Sequence, residues 1–224
     1  MRGRRLVLWR HGQTAWNLQR RAQGQTDVDL DAVGLRQARD AAARLASLSP
    51  SMIVSSDLAR ARRTAQELAT VSGVEVHTDV RLREVHLGER EGRTIDEVEQ
   101  LWPEIWHAWT HGEVPPPAPG GESEEEVAER AAAAMRDVVE ALEPGETGVV
   151  VAHGGSLRSG MWRFLGLPGE LSRSLGGMSN CAWNVLTQTR AGHWQLVEYN
   201  AGTLPEPVLT DDLAADDEVG STVS

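Results

Sequence analysis

The stretch Arg5-Leu6-Val7-Leu8-Trp9-Arg10-His11-Gly12 decides the fold. Its apolar run is short, bounded by charge and ends in a polar loop, so it reads as a buried strand whose carboxyl end carries Arg10 and His11. The same layout recurs twice: Met52-Ile53-Val54 runs into Ser55-Ser56-Asp57, and Gly148-Val149-Val150-Val151-Ala152 runs into His153-Gly154-Gly155. After the first two loops the apolar residues take up helical spacing, with Leu35, Ala38, Ala42 and Leu45 on one stripe and Leu58, Ala61, Ala65 and Leu68 on another. Strands alternating with helices predict an α/β fold, a three-layer, doubly wound and mostly parallel sheet with helices on both faces.

Between the second and third strand units the pattern changes. Residues from about 94 to 121 read as an inserted helical cap ending in Pro115-Pro116-Pro117-Ala118-Pro119-Gly120-Gly121. Trp102, Trp106 and Trp109 fall at helical spacing there. They form either an apolar face packed on the body or an aromatic wall over a ligand. Ser123 to Glu126 has capping-box spacing, and Val127, Ala131, Ala134, Val138 and Leu142 are the buried stripe of a long helix that Pro144-Gly145 ends. Ala182 to Thr187 and Trp194 to Tyr199 are strand candidates. The expected organisation is one domain over 1–204, with residues 205–224 an acidic, disordered tail.

The chain has 224 residues, 40% of them hydrophobic, enough to bury a single sizeable core. A formal charge of -11 argues against a nucleic-acid or anionic-membrane partner, since those are held by basic surfaces. No apolar run approaches the roughly 20 residues of a spanning helix, and no leader pattern opens the chain, so the protein is expected in the cytoplasm. The lone Cys181 excludes an internal disulfide and a cysteine zinc cage. Every one of the 22 basic residues is arginine, which excludes Schiff-base chemistry and a P-loop lysine. His107 and His111 have the i, i+4 spacing of a zinc-binding helix, but Ala108 stands where the companion glutamate would be. They are read as a surface pair, with no metal and no cofactor expected.

Ligands of an open α/β sheet bind beyond the carboxyl ends of its strands, where this sequence presents Arg10, His11, Ser55, Arg60 and His153. Two histidines at equivalent strand ends, both followed by glycine and one by the side of an arginine, point to a reactive site. Gly12 and Gly154 are expected to let backbone approach a ligand. A neutral imidazole can attack phosphorus, and a nucleophilic histidine needs its other ring nitrogen held by an acceptor such as a backbone carbonyl. Arg10, Arg60 and a protonated His153 would face the phosphoryl oxygens. Glu84, in Arg83-Glu84-Val85-His86-Leu87-Gly88, is the candidate proton donor to the leaving alkoxide and the later base toward water.

These motifs match a family. Arg10-His11-Gly12-Gln13-Thr14 with Asn17, then Ser55-Ser56-Asp57-Leu58-Ala59-Arg60-Ala61, then Glu84, then His153-Gly154-Gly155, in this order from about Arg5 to Asn200, resemble the histidine phosphatase superfamily, also called phosphoglycerate-mutase-like. The resemblance implies a metal-independent phosphomonoesterase working through a phosphohistidine on His11. It implies a phosphate pocket of Arg10, Arg60 and His153, further phosphate or substrate contacts from Thr14, Asn17, Gln25 and Gly154, and Glu84 as proton donor. Its partner would be a small phosphorylated metabolite, and similar enzymes often form homodimers.

Mutases of the superfamily follow the glutamate with an Arg-x-Tyr-Gly-like stretch, carry a basic cluster in the insert and place asparagine after the second His-Gly. Here Glu84 is followed by Val85-His86-Leu87-Gly88, the cap histidines are His107 and His111, and Gly155 follows Gly154, so the chain resembles the phosphatase branch. Arg81-Leu82-Arg83-Glu84-Val85-His86-Leu87-Gly88, Gly120-Gly121-Glu122-Ser123 and Leu175-Gly176-Gly177-Met178-Ser179-Asn180 are most similar to the actinobacterial glucosyl-3-phosphoglycerate phosphatases. That likeness implies substrate contacts from His86, Glu122 and Ser123. The alternatives are a broad-specificity phosphatase, a phosphoglycerate mutase and a phospholigand-binding module without turnover.

Overall fold

The computed structural model describes residues 3–202, so the acidic tail lies outside the described residues. Six strands form one sheet in the order β3-β2-β4-β1-β5-β6. They are β1 (Arg5–Arg10), β2 (Met52–Ser55), β3 (Val76–Thr78), β4 (Thr147–Ala152), β5 (Trp183–Gln188) and β6 (Trp194–Ala201). The first four are parallel to one another, while β5 pairs antiparallel with β1, and β6 antiparallel with β5. The sheet is mostly parallel, as expected, with an antiparallel edge.

Alternation along β1 assigns its side chains to two layers. Val7 and Trp9 pack with the stripes of α2 (Ala32–Ala46) and α3 (Ala59–Ser72), through Ala38, Ala42, Leu45, Ala61, Ala65 and Leu68. Leu6 and Leu8 face α6 (Glu124–Ala141) and α7 (Gly154–Leu165), through Ala134, Met135, Val138, Leu157 and Met161. Trp9 is wholly buried and its indole N–H donates to the Cys181 carbonyl at 3.1 Å, so the largest core side chain leaves no polar atom unpaired.

The insert differs from the single apolar helix face read from its tryptophans. It folds as two short helices, α4 (Ile95–Leu101) and α5 (Pro103–Thr110). Proline disfavours the helical region for the residue before it, and Trp102 accordingly leaves the helix at φ -136°, ψ 68°. Val98, Ile105 and Ala118 make a small separate core on which Trp102 and Trp109 pack. His107 and His111 are exposed with their rings stacked 3.9 Å apart. Among the described residues no helix is long and apolar enough to cross a membrane.

Candidate active site

The register of the central strand pair explains why two distant histidines meet. Arg10 of β1 lies opposite Ala152 of β4, so the next residues, His11 and His153, leave the sheet side by side. The His11 N–H donates to the Ala152 carbonyl at 3.0 Å, and the two rings sit 5.1 Å apart between centroids. Ser56 leaves the neighbouring β2, where its Oγ lies 2.9 Å from His153 Nε2.

His11 is 2% exposed, and its Nδ1 is 2.7 Å from the Gly12 carbonyl. A carbonyl only accepts, so Nδ1 carries the proton and Nε2 keeps its lone pair, the tautomer a nucleophile needs. Burial, then the charges of Arg60 and Arg10, hold the imidazole well below its ordinary pKa, against a smaller opposing effect of the Gly12 bond. The ring is therefore neutral near pH 7.

His153 differs from expectation. Its Nδ1 accepts from Arg60 Nε at 3.1 Å, which leaves its proton on Nε2, donated to Ser56 Oγ. Burial first, then Arg60 and His11, lower its pKa far below the usual value. A second positive charge beside the buried Arg60 is too costly, so in this structure His153 is neutral rather than protonated. Arg60 is itself wholly buried, with Nη1 and Nη2 donating to the carbonyls of Thr26 and Gly24 at 2.8 and 2.7 Å. Arg10 donates through Nη1 to the Met178 carbonyl.

Glu84 completes the cluster at the amino end of α7. Its carboxylate accepts from the N–H groups of Gly155 (3.1 Å), Ser156 (2.8 Å) and Val85 (3.0 Å). A Cβ on Gly155 would fall 2.7 Å from Glu84 Oε1, so that glycine permits the approach. Gly12 has a different reason from the one expected, since a Cβ there would strike the Gly34 carbonyl of α2 at 2.4 Å. Its smallness serves helix packing against the β1 loop.

A cavity of about 390 Å³ opens over the cluster, lined by Arg10, Glu84, Gly154, Gly155 and Met178 from the body and by Trp109, Val114 and Pro115 from the insert. His11, Arg60 and His153 lie in its buried surroundings and are not among its lining residues. Arg20, Arg90, Arg93 and Arg158 also line it, an arginine set that sequence reading missed because they come from three separate segments. Arg90 stacks 4.9 Å over the Trp109 ring. Trp109 thus serves both readings of the insert, packing below and forming a wall above, while Trp102 and Trp106 are not on the cavity.

The remaining site candidates are placed less directly. Thr14 and Asn17 form a capping box on α1 (Ala15–Leu18), with Asn17 Oδ1 accepting from Thr14 N and Oγ1. Asn17 Nδ2 is buried and has no hydrogen-bond partner among the described residues. Gln25 Nε2 donates to the Glu84 carbonyl at 3.1 Å, supporting the loop from outside the cavity. Glu122 is on the cavity, but both its oxygens are occupied by Arg130 and by the His86 N–H. Burial would raise its carboxyl, yet these bonds outweigh that effect and hold it below the ordinary range. Ser123 caps α6 reciprocally with Glu126, and neither it nor His86 lines the cavity. Ser56, Thr64, whose Oγ1 accepts from the Gly12 N–H at 3.1 Å, and Arg130 are supporting residues that sequence reading did not single out. A lone arginine on the polar side of α6 reads as solvated until its partners are seen.

A comparison with protein families matches residues 6–202 to the histidine phosphatase superfamily (branch 1). The chain belongs to that superfamily. Glucosyl-3-phosphoglycerate phosphatase of Mycobacterium tuberculosis (strain CDC 1551 / Oshkosh) is 41% identical over 201 residues, covering 87% of this chain and 88% of the relative. The probable phosphoglycerate mutase GpmB of Salmonella choleraesuis (strain SC-B67) is 39% identical over 181 residues, or 79% of this chain and 81% of that one. A solved mycobacterial glucosyl-3-phosphoglycerate phosphatase in complex with VO3 superposes with a TM-score of 0.82 at 38% identity, covering 90% of this chain and 100% of the other. This histidine phosphatase is a phosphomonoester hydrolase with the superfamily's mixed six-stranded α/β fold.

Proposed function

We propose that this histidine phosphatase removes phosphate from glucosyl-3-phosphoglycerate through a phosphohistidine on His11. The observation that carries the chemistry is the His11 Nδ1 bond to the Gly12 carbonyl, which leaves Nε2 as the neutral nucleophile beside two arginines. Nε2 attacks phosphorus in line with the ester oxygen, whose bond to phosphorus breaks. Arg10, Arg60 and His153 surround the phosphoryl oxygens as charge shifts onto the leaving oxygen. Asn17 Nδ2, a buried donor lacking a partner among the described residues, supplies one more contact. Glu84 protonates the departing alkoxide. It then takes a proton from the water that attacks phosphorus, releasing phosphate and restoring His11.

The substrate rests on the relatives named for it and on the cavity. Its arginines suit a second anionic group beyond the phosphate, and Trp109 offers a ring face to a sugar. The mutase-named relative is nearly as similar in sequence, but Gly155 and the cap favour transfer to water. We place the enzyme in the cytoplasm as a homodimer, without a nucleic-acid or membrane partner; sedimentation of the full chain tests the assembly.

The deciding measurement is phosphate release from glucosyl-3-phosphoglycerate, 3-phosphoglycerate and p-nitrophenyl phosphate, with His11→Ala as the blank. A kcat/KM for the glucosyl compound several orders of magnitude above the others is expected. Equal low values on all three would overturn the substrate, and wild-type rates in His11→Ala would overturn the mechanism.

A further inference from the structure

The loop that carries Glu84 has no regular secondary structure of its own between the 3-10 turns Val80–Leu82 and Gly88–Arg90. Its carbonyls therefore need partners from elsewhere. One side chain supplies three of them. Arg130 of α6 donates through Nη1 to the carbonyls of Arg81 and Arg83, both at 2.7 Å, and through Nη2 to the carbonyl of Glu84 at 2.9 Å. Its remaining donors grip Glu122, Nε to Oε1 and Nη2 to Oε2, each at 2.8 Å. A guanidinium has five N–H groups, and Arg130 makes five hydrogen bonds, so its fork is saturated.

Glu122 extends the clamp to the far side of Glu84. Its Oε2 accepts from the His86 N–H at 2.8 Å, and its own N–H donates to the His86 carbonyl at 2.8 Å. The two sequence motifs around Glu84 and Glu122 thus meet on one arginine. While Arg130 and Glu122 hold the backbone at residues 81, 83, 84 and 86, the amino end of α7 holds the Glu84 carboxylate.

We infer that Arg130 is the positioning residue for proton transfer: by fixing the backbone on both sides of Glu84 it sets whether the carboxyl reaches the leaving oxygen. This rests on Glu84 being the proton donor, which the test checks separately. A lysine cannot take the place of the fork, because a single ammonium has three donors and no plane. Small misplacements of a reacting group cost rate steeply, about 100-fold for 1 Å.

The test exploits leaving-group chemistry. A sugar-acid alkoxide needs a proton as it departs, whereas 2,4-dinitrophenolate does not. Values of kcat/KM would be measured for wild type, Arg130→Gln, Arg130→Lys, Glu122→Gln and Glu84→Gln with glucosyl-3-phosphoglycerate and 2,4-dinitrophenyl phosphate. Both Arg130 variants are expected to lose about 10- to 100-fold on the alkyl ester and to stay within about threefold on the dinitrophenyl ester, with a smaller loss of the same selectivity in Glu122→Gln. Equal losses on the two esters would mean a general structural role and overturn the proposal, as would undiminished rates on the alkyl ester. Should Arg130→Gln fail to fold, Arg130→Lys and Glu122→Gln decide by the same criterion. If Glu84→Gln is itself indifferent to the leaving group, the proton-donor reading fails. If Glu84→Gln is selective and the Arg130 variants are not, only the positioning role fails.

Discussion

The His11 ring and the Glu84 carboxylate are each held by backbone groups, which makes their geometry sensitive to the local path of the chain. Gly155 is the clearest case, because its missing side chain leaves room for the Glu84 carboxylate against the amino end of α7. Gly155→Ala is expected to push that carboxylate away and lower kcat by roughly 10- to 100-fold, with little change in KM; steady-state kinetics on the alkyl ester checks it. Unchanged kcat would mean that the carboxylate shifts without losing reach. At this scale the places of His11 and His153 after strands were legible in the sequence. The neutrality of His153 was not, since it depends on Arg60 donating into its ring from another element.

The helices divide by task. α6 begins with a capping box in which Ser123 and Glu126 satisfy each other's orphan backbone donors. Ser123→Ala should cost about 1 kcal/mol of stability, read from urea unfolding, while KM stays put because Ser123 is off the cavity. A raised KM with unaltered stability would instead return Ser123 to the substrate contacts. In the insert, Trp109 faces the cavity under Arg90. Trp109→Ala is expected to lower kcat/KM for the glucosyl substrate about tenfold and leave p-nitrophenyl phosphate almost unaffected, as loss of a stacking face would. Equal effects on the two would make the ring a packing residue only.

For the whole molecule, burying two neutral imidazoles ties stability to pH. Burial, then the charge of Arg60, depresses both His11 and His153 in the folded protein. The unfolded chain takes up protons on them below about pH 6.5, and the folded chain resists. Their contribution is therefore complete above that pH and shrinks as pH falls from there toward the depressed folded values. Two such groups give a slope of up to about 2.7 kcal/mol per pH unit. Urea unfolding at several pH values between about 7.5 and 5 should show it, and His11→Ala should remove about half of the imidazole share. A midpoint insensitive to pH over that window would contradict the buried, neutral pair.

What the sequence by itself determined is the part governed by local periodicity. Short apolar runs ending in polar loops, followed by helical stripes, suffice to place Leu6, Val7, Leu8 and Trp9 in a central strand and His11 at its carboxyl end. Local pattern also placed the α6 cap and the two last strands within a residue or two of where they lie. Tertiary structure decided whatever depends on groups distant in the chain. The β1–β4 register sets the two histidines side by side. Pro103 divides the insert by a steric effect that the spacing of the tryptophans conceals. Arg130 and the cavity arginines lie on polar helix faces and loops, where solvation is the ordinary expectation. Only the folded chain brings buried carbonyls and carboxylates within reach of their guanidinium groups, because hydrogen bonding and desolvation act over distances in space that sequence separation does not encode.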